Sequence, residues 1–280
     1  MPTFSLLTTI RRIAINMTNN HSKSLTAYDR ISFKIRRWFA GALMTTLEFR
    51  NSFYRKFKLG KCYYAEFFTD RFIRKRFFPD YKYKGCVVEV GCATPKLLSM
   101  SQHFRESEWR CIGIEPNPKF VALHRALGNE VLEYAAADFT ADDHDFVVVE
   151  DTDQYSEERL SAHSYSSLSI KPQFENYKGG ALRNLKQTRI KVRVRRLDDI
   201  LEIHCPEINN IDLLAIDVEG FEIDVMKGFT PSKYNVKVIV LENLFHDQTY
   251  DHYMSSIGYR LYHKKGYNYI YVSNSRQANR

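Results

Sequence analysis

The stretch VVEVGCATP at residues 87–95 decides the fold, because it joins an apolar strand to a turn that begins with glycine. The run VVEV is typical of a strand buried on both faces of a parallel sheet. Gly91 lets backbone amides approach a ligand, and the following helix directs its positive end to the same place. Because Ala93 and Pro95 replace the residues of a GxGxxG loop, the stretch speaks against a nicotinamide cofactor. Taken alone, it also fits a turn with a purely structural role.

A second strand that ends in an acid follows in the run CIGIEPNP at residues 111–118. A carboxylate at this position can accept hydrogen bonds from both hydroxyls of a ribose, so Glu115 is the best candidate for a cofactor contact. Pro116 stiffens the turn and helps to start the next helix. Asp138 follows a third strand, where it either accepts a hydrogen bond from an adenine amino group or stands in an ordinary loop.

Three more carboxylates are expected at the ends of two later strands. The run IDLLAIDVEGFE at residues 211–222 carries Asp217 and Glu219, and VIVLEN at residues 238–243 ends in Glu242 and Asn243. Ligands of open α/β sheets bind at the carboxyl ends of the strands. Each acid alone could be a cap or a solvated side chain, but together they would leave buried charge without a partner. We therefore expect them to face a cation, a proton or a substrate.

The alternation of apolar runs predicts an α/β fold with a mostly parallel, doubly wound sheet. Strands are expected at 86–90, 111–114, 130–134, 211–216 and 236–241, helices at 96–104, 119–127 and 223–227, and a closing antiparallel hairpin at 259–262 and 269–272. The polar stretch 152–187 interrupts this pattern and is interpreted as an insertion near the active face.

The basic charge of the chain is confined to its first 84 residues. They hold 18 Lys/Arg and 5 Asp/Glu, a balance of +13, whereas the rest holds 23 and 28, a balance of −5. We predict a basic, partly helical extension over residues 1–84 and a catalytic domain over residues 85–280. A basic arm on an acidic body favours docking to an anionic surface, such as lipid headgroups, a phosphorylated carrier or nucleic acid, although a solvated helix packed on the domain fits as well.

The extension carries two further signals. Residues 1–27 are rich in Ser, Thr and Asn and contain no acid, which fits a disordered tail or a targeting segment. Residues 31–57 have the spacing of an amphipathic helix, which would lie on a membrane interface or cover the domain's own core. No apolar run approaches the ~20 residues of a membrane-spanning helix. The five scattered cysteines indicate a reduced compartment and no structural zinc. We expect a cytoplasmic protein, with membrane-peripheral or organellar placement as the alternatives.

Several of these motifs together resemble the FkbM-type methyltransferases. The matching segments, in order, are 87–91, 115–118, 166–168, 197–198, 216–222 with 227–228, and 240–242. The resemblance covers about residues 85–273 and implies a Rossmann-like class I fold, S-adenosylmethionine as cofactor, and methyl transfer to a hydroxyl of a glycan or a small secondary metabolite. It also implies that Glu89, Gly91 and Glu115 contact the cofactor. Pro116, Asn117 and Asp138 complete the predicted cofactor-binding set. By the same resemblance Asp217, Glu219 and Glu242 line the reaction cleft.

Methyl transfer to an alcohol needs a base, because the hydroxyl does not ionise near neutral pH. Asp217 is the first candidate, followed by Glu219 and His246. Asp217, Glu242 and Asn243 are also similar in arrangement to the divalent-ion site of catechol O-methyltransferase, which predicts Mg²⁺ as a second cofactor. Two alternatives stay open: an RNA or protein methyltransferase, which the basic arm favours, and a non-catalytic binding module, which the missing second glycine of the loop favours.

Overall fold

The computed structural model describes residue 51 and residues 61–150, 166–169 and 186–274. The predicted targeting segment, the predicted amphipathic helix except for Asn51, and most of the predicted insertion lie outside these residues. The described residues all belong to one compact unit, Ala40–Arg280.

The sheet that carries the site has seven strands. All strands of the described chain are, in order, β1 (Cys86–Val90), β2 (Arg110–Ile114), β3 (Glu130–Leu132), β4 (Ala135–Ala136), β5 (Ala141–Glu150), β6 (Lys186–Arg195), β7 (Leu213–Ile216), β8 (Val238–Glu242), β9 (Tyr259–Lys265) and β10 (Asn268–Ser273). The central sheet has the order β3-β2-β1-β7-β8-β10-β9. Its strands pair in parallel from β3 to β8, and β10 pairs antiparallel with β8 and with β9. The predicted α/β class, the mostly parallel sheet and the closing hairpin are therefore confirmed.

Six helices connect the strands in the described residues. They are α1 (Thr69–Phe77), α2 (Gln102–Arg105), α3 (Pro118–Ala126), α4 (Leu197–His204), α5 (Glu222–Lys227) and α6 (Thr249–Ser256). Short 3-10 helices occupy Glu66–Phe68 and Pro231–Tyr234. Among these helices, none has both the length and the apolar character needed to cross a bilayer.

The helix predicted at 96–104 is much shorter than expected, since α2 begins only at Gln102. The residues before it take up irregular backbone, with Leu98 at a φ of 60°. The amides of Met100 and Ser101 there donate hydrogen bonds to the carboxylate of Glu89, at 2.7 and 3.2 Å. The carboxylate of Glu89 thus accepts hydrogen bonds from two backbone amides that would lie within the predicted helix.

Helix α1 covers one face of the central sheet. Ile73 is fully buried in the same apolar cluster as Val87 of β1 and Phe104 of α2. The opposite face of the sheet packs on α4, where Ile200 is fully buried. The compact unit therefore includes residues before 85, because the sheet needs the apolar side chains of the preceding segment to complete its core.

A second, three-stranded sheet has the order β4-β6-β5. Strands β5 and β6 form a long antiparallel pair, and the residues predicted as an insertion connect them. The prediction placed Lys186 and Gln187 in the insertion, whereas both belong to β6. Ser167 bridges to Val147 on the outer side of β5, with backbone hydrogen bonds of 2.9 and 3.1 Å. This bridge holds residues 166–169 beside the second sheet.

Candidate functional site

A cleft lies at the carboxyl ends of the parallel strands and encloses about 550 Å³, counting the solvent at its mouth. Its walls are the turns after β1 and β2, the loop after β7, and parts of the second sheet with residues 166–168. Apolar side chains, among them Phe120, Tyr134 and Phe146, line one part of it, whereas Asp217 and Glu219 line another. The cleft thus offers an apolar surface beside a group of carboxylates.

Gly91 brings the ends of β1 and β7 into direct contact. Its φ is +78°, in the left-handed region, and a β-carbon there would lie 1.8 Å from the carbonyl oxygen of Asp217. Its amide donates to the carbonyl of Ile114 at 2.9 Å. Only glycine fits this position, because any side chain would collide with the backbone of Asp217.

Glu115 ties the turns after β1 and β2 together. One carboxylate oxygen accepts a hydrogen bond from the amide of Ala93 and the other from the amide of Asn117, both at 2.9 Å. Burial raises the pKa of Glu115 to about 7, and the two amide hydrogen bonds oppose that rise. Because each oxygen retains a second lone pair, this carboxylate can accept further hydrogen bonds from a ligand in the cleft.

The other predicted cofactor residues are divided by the structure. Pro116 lines the cleft. Asn117 caps α3, with its side-chain oxygen accepting from the amide of Lys119 at 3.0 Å. Glu89 points to the segment before α2, and exposed Asp138 is also absent from the cleft wall. The structure brings Gly91, Glu115 and Pro116 together and leaves Glu89, Asn117 and Asp138 in supporting or peripheral places.

Three carboxylates meet at the ends of β7 and β8. Oxygen atoms of Asp217, Glu219 and Glu242 all lie within 4.8 Å of one another. Asn243, predicted as the third member of a metal site, turns away: its side chain donates to the carbonyl of Asp247 and accepts from the amide of Asp247, both at 2.8 Å. Glu219 takes the place beside Asp217 and Glu242 that the sequence assigned to Asn243.

We call Asp217, Glu219 and Glu242 the acid cluster. Two of its members, Asp217 and Glu242, hold protons more tightly than isolated carboxyls do. Burial, followed by the negative charge of Glu222, raises the pKa of Asp217 to about 7, although a hydrogen bond with Glu242 opposes the rise. Burial and then the charges of Asp217 and Glu219 raise the pKa of Glu242 well above its usual range. Asp217 is accessible from the cleft and Glu242 is less so. Because Asp217 is the most exposed member of the cluster, it is the one that can exchange a proton with a ligand in the cleft.

Glu222 shapes the loop that carries two of these acids. It is fully buried, and one of its oxygens accepts hydrogen bonds from the amides of Val218 and Gly220, both at 3.0 Å. Its other oxygen accepts from the hydroxyl of Tyr250 in α6. Glu219 and Gly220 both have positive φ, 57° and 94°, and these hydrogen bonds hold that conformation. The sequence placed Glu222 within the motif but did not indicate that it holds this loop. It gave no indication that Tyr250 contacts Glu222.

His246 lies in the loop after β8, on an exposed backbone position with a φ of 55°. Its Nδ1 is 2.9 Å from the hydroxyl of Tyr269, and its ring lies 5.6 Å from that of Tyr267. It does not line the cleft. Its place in the structure favours contact with a ligand that extends beyond the cleft rather than with one inside it.

The Glu242→Gln variant is expected to be more stable than the wild type at pH 8, by about 1–2 kcal/mol or ~4 °C in Tm. A carboxyl whose pKa is raised on folding contributes its full stability below the unfolded value of 4.5, and loses it as the pH rises. Glutamine has no such dependence. Melting temperatures between pH 4.5 and pH 8 measure the effect, with Glu202→Gln on the surface of α4 as the control. If the melting temperatures of Glu242→Gln and wild type changed with pH in the same way, the raised pKa of Glu242 would be contradicted.

Comparison with known protein families gives one finding. Residues 89–269, more than half of the chain, match the model of the methyltransferase FkbM domain. The matched range includes the turns after β1 and β2, the second sheet and the whole acid cluster, and it ends in β10. No significant relative was found among curated proteins.

Proposed function

This chain belongs to the FkbM methyltransferase domain family and is a methyltransferase, and from that premise we propose that it transfers a methyl group from S-adenosylmethionine to a hydroxyl oxygen of a glycan or a small metabolite. The observation that carries the proposal is the contact between the Gly91 turn and Glu115. Both lie at the end of neighbouring parallel strands and face one cleft. Ligands bind at this edge in open α/β sheets.

The residues of the cleft fit S-adenosylmethionine. Glu115 offers lone pairs to the ribose hydroxyls, and such hydrogen bonds hold its carboxylate in the charged form. Ile114, Phe120 and Tyr134 give an apolar surface for an adenine ring. Gly91 and Ala93 line the cleft between Glu115 and the acid cluster, where the remainder of the cofactor would lie. When bound, the cofactor would supply an electrophilic methyl group.

Asp217 is the base in this proposal. During transfer the acceptor oxygen would bond to the methyl carbon as the carbon–sulfur bond breaks, and the carboxylate of Asp217 would take the hydroxyl proton. A pKa of about 7 suits this task, since a base works best when its pKa lies close to the working pH. Glu219 lies beside it in the cluster and accepts a hydrogen bond from the acceptor, and Glu222 holds the loop that positions both acids.

Replacing Glu115 with alanine is expected to weaken S-adenosylmethionine binding about 100-fold. The reason is the loss of two charge-assisted hydrogen bonds, together worth about 3 kcal/mol or more. Calorimetric titration of the cofactor into wild type and variant measures the change. Glu202→Ala, which removes an exposed carboxylate from α4 outside the cleft, serves as the control.

The two possible failures of this titration have different meanings. Absence of binding to the wild type would replace the methyl-transfer proposal with the non-catalytic binding module. If Glu115→Ala binds S-adenosylmethionine with wild-type affinity, the cofactor assignment stands but Glu115 does not contact the cofactor.

An RNA acceptor is the second candidate, and the negative charge of the acid cluster disfavours it. Asp217 and Glu219 line the cleft, so a phosphate backbone that entered would meet like charge. The basic residues that favour nucleic acid lie mostly in residues 1–60, outside the described part of the chain apart from Asn51. Undiminished methylation of a glycan in the presence of excess RNA would separate the two acceptors.

Mg²⁺ at the acid cluster is a subsidiary hypothesis. Carboxylate oxygens are the ligands that Mg²⁺ prefers, and Glu219 would complete the set that the sequence assigned to Asn243. An ion bound there would raise the melting temperature of the wild type at pH 8 and leave that of Asp217→Asn unchanged. Equal melting temperatures with Mg²⁺ and after chelation would remove the ion from the proposal.

A further inference from the structure

Unusual backbone conformations are concentrated around the carboxyl edge of the central sheet. In the described residues, eight non-glycine residues have positive φ: Phe67, Phe68, Ala93, Leu98, Glu108, Glu219, Asn235 and His246. All except Glu108 and Asn235 lie in the turn region after β1, in the loops after β7 and β8, or in the segment 66–68. Such conformations are costly for residues with a side chain, and they persist where surrounding contacts enforce them, often at functional sites.

The segment Glu66–Phe68, which we call the entry loop, lies against the tip of the β9–β10 hairpin. The ring of Phe67 covers Gly266 so closely that a β-carbon there would lie 2.1 Å from Phe67 Cε2. The same ring makes an edge contact with Tyr267 at 5.9 Å between centroids. Gly266 is thus required for the hairpin tip to accept the aromatic ring.

Buried polar contacts hold the entry loop in place on both sides. Thr69, which follows the loop and is fully buried, accepts a hydrogen bond from the side chain of Asn268 at 3.3 Å and donates to the carbonyl of Glu66 at 2.7 Å. On the other side, Ala65 bridges to Leu98 in the segment after β1. The entry loop is therefore a fixed part of the catalytic unit.

The entry loop lies close to the acid cluster. Asn268 is the register partner of Glu242, and the carbonyl of Tyr267 accepts the amide of Asn243 at 2.8 Å. After burial and Glu222, the charge of Glu66 is a further cause of the raised pKa of Asp217, which places Glu66 within electrostatic reach of it. Phe67 nevertheless stays 41 % exposed, one of five large apolar side chains exposed in the described chain.

We propose that the entry loop forms the acceptor side of the catalytic site, with Phe67 as an apolar platform for an uncharged, hydroxyl-bearing ring and Glu66 as an acceptor of a hydrogen bond from that ring. The inference rests on the methyl-transfer function above and assigns specificity to residues outside the matched range 89–269. An aromatic face packs on the apolar face of a sugar ring, and carboxylates accept hydrogen bonds from its hydroxyls. The neighbouring acid cluster repels acceptors that carry phosphate or carboxylate groups.

The test measures methylation of methyl glycosides of neutral hexoses, with methyl-labelled S-adenosylmethionine, by wild type and variants. Phe67→Ala is expected to raise KM for the glycoside about tenfold, while kcat and the affinity for S-adenosylmethionine stay within about twofold. Phe67→Tyr, which keeps the aromatic face, should restore the wild-type KM, and Glu66→Gln should raise it. The control is Phe139→Ala, because Phe139 is a similarly exposed phenylalanine, at 39 %, outside the cleft wall.

The outcomes separate this inference from the function on which it rests. If the wild type does not bind S-adenosylmethionine, the methyl-transfer proposal itself fails. If the cofactor binds, the inference is overturned by an unchanged KM in Phe67→Ala, by equal use of uronic-acid or phosphorylated glycosides, or by failure of every neutral glycoside to become labelled.

Discussion

The Asp217→Asn variant is expected to bind S-adenosylmethionine normally and to lose about 10²–10⁴-fold in kcat. Asparagine keeps the size and position of the side chain but cannot accept the proton of the acceptor hydroxyl. The proposed base exchanges a proton at about pH 7, because burial and the charge of Glu222 raise its pKa. Only the deprotonated form is active, so the wild-type rate should rise with pH and level off above about pH 7.

The variant should lack this pH dependence as well as the rate. Initial rates between pH 5.5 and pH 9 with labelled cofactor measure both effects, and Asp143→Asn, an exposed aspartate of β5, is the control. A wild-type rate and an unchanged pH profile in Asp217→Asn would exclude Asp217 as the base. Glu219 and then His246 would be tested next, the latter at its exposed position beside Tyr267.

The Gly91→Ala variant is expected to lose about 4 kcal/mol or more of its free energy of unfolding. Two effects add here. Alanine is disfavoured at a φ of +78°, and its β-carbon would lie 1.8 Å from the carbonyl oxygen of Asp217, a backbone atom that cannot rotate away. The ends of β1 and β7 would separate, and the cleft between Glu115 and the acid cluster would change shape.

Gly128→Ala is the matched control for this prediction. Gly128 has a similar φ of +72°, but a β-carbon there would have no neighbour within 4 Å. It isolates the conformational cost, which should be about 1 kcal/mol. Urea unfolding of both variants gives the difference. Equal losses in the two variants would mean that the contact between the turn and Asp217 is not tight.

The sequence alone determined the central strands and placed Gly91 and Glu115 at the carboxyl edge of the sheet. The runs VVEV, LLAI and VIVLE are apolar on both faces, so they could only be central parallel strands, and the structure has β1, β7 and β8 at these places. The positions of Gly91 and Glu115 follow from these strands, because both residues stand directly after a parallel strand and therefore lie at the edge where ligands bind.

The sequence gave weaker information where charged residues alternate with apolar ones. Strand β6, KQTRIKVRVR, carries lysine or arginine at every second position from Arg189 to Arg195, and its partner β5 has acids at Asp142, Asp143 and Asp145. The apolar side chains of this pair, such as Phe146 and Val194, are buried in a core of their own. Alternation of this kind fits a strand with one buried face, but it does not say which segment covers that face, and the sequence analysis recognised only the polar connection between the two strands.

Tertiary structure alone decided which of the acids act together. Asn243 directly follows its strand and Glu219 stands further from the end of β7, yet Glu219 joins the acid cluster and Asn243 bonds to Asp247. The direction of Glu219 follows from a left-handed backbone that Glu222 and Tyr250 hold through hydrogen bonds across 28 positions of sequence.

The entry loop was likewise out of reach of the sequence. It lies close to Asp217 only because Phe67 packs on a glycine 199 positions later in the chain. A local pattern is enough to predict a strand, because side chains alternate between its two faces at every second residue. The direction of a loop and its contacts with distant residues depend on the packing of the complete chain.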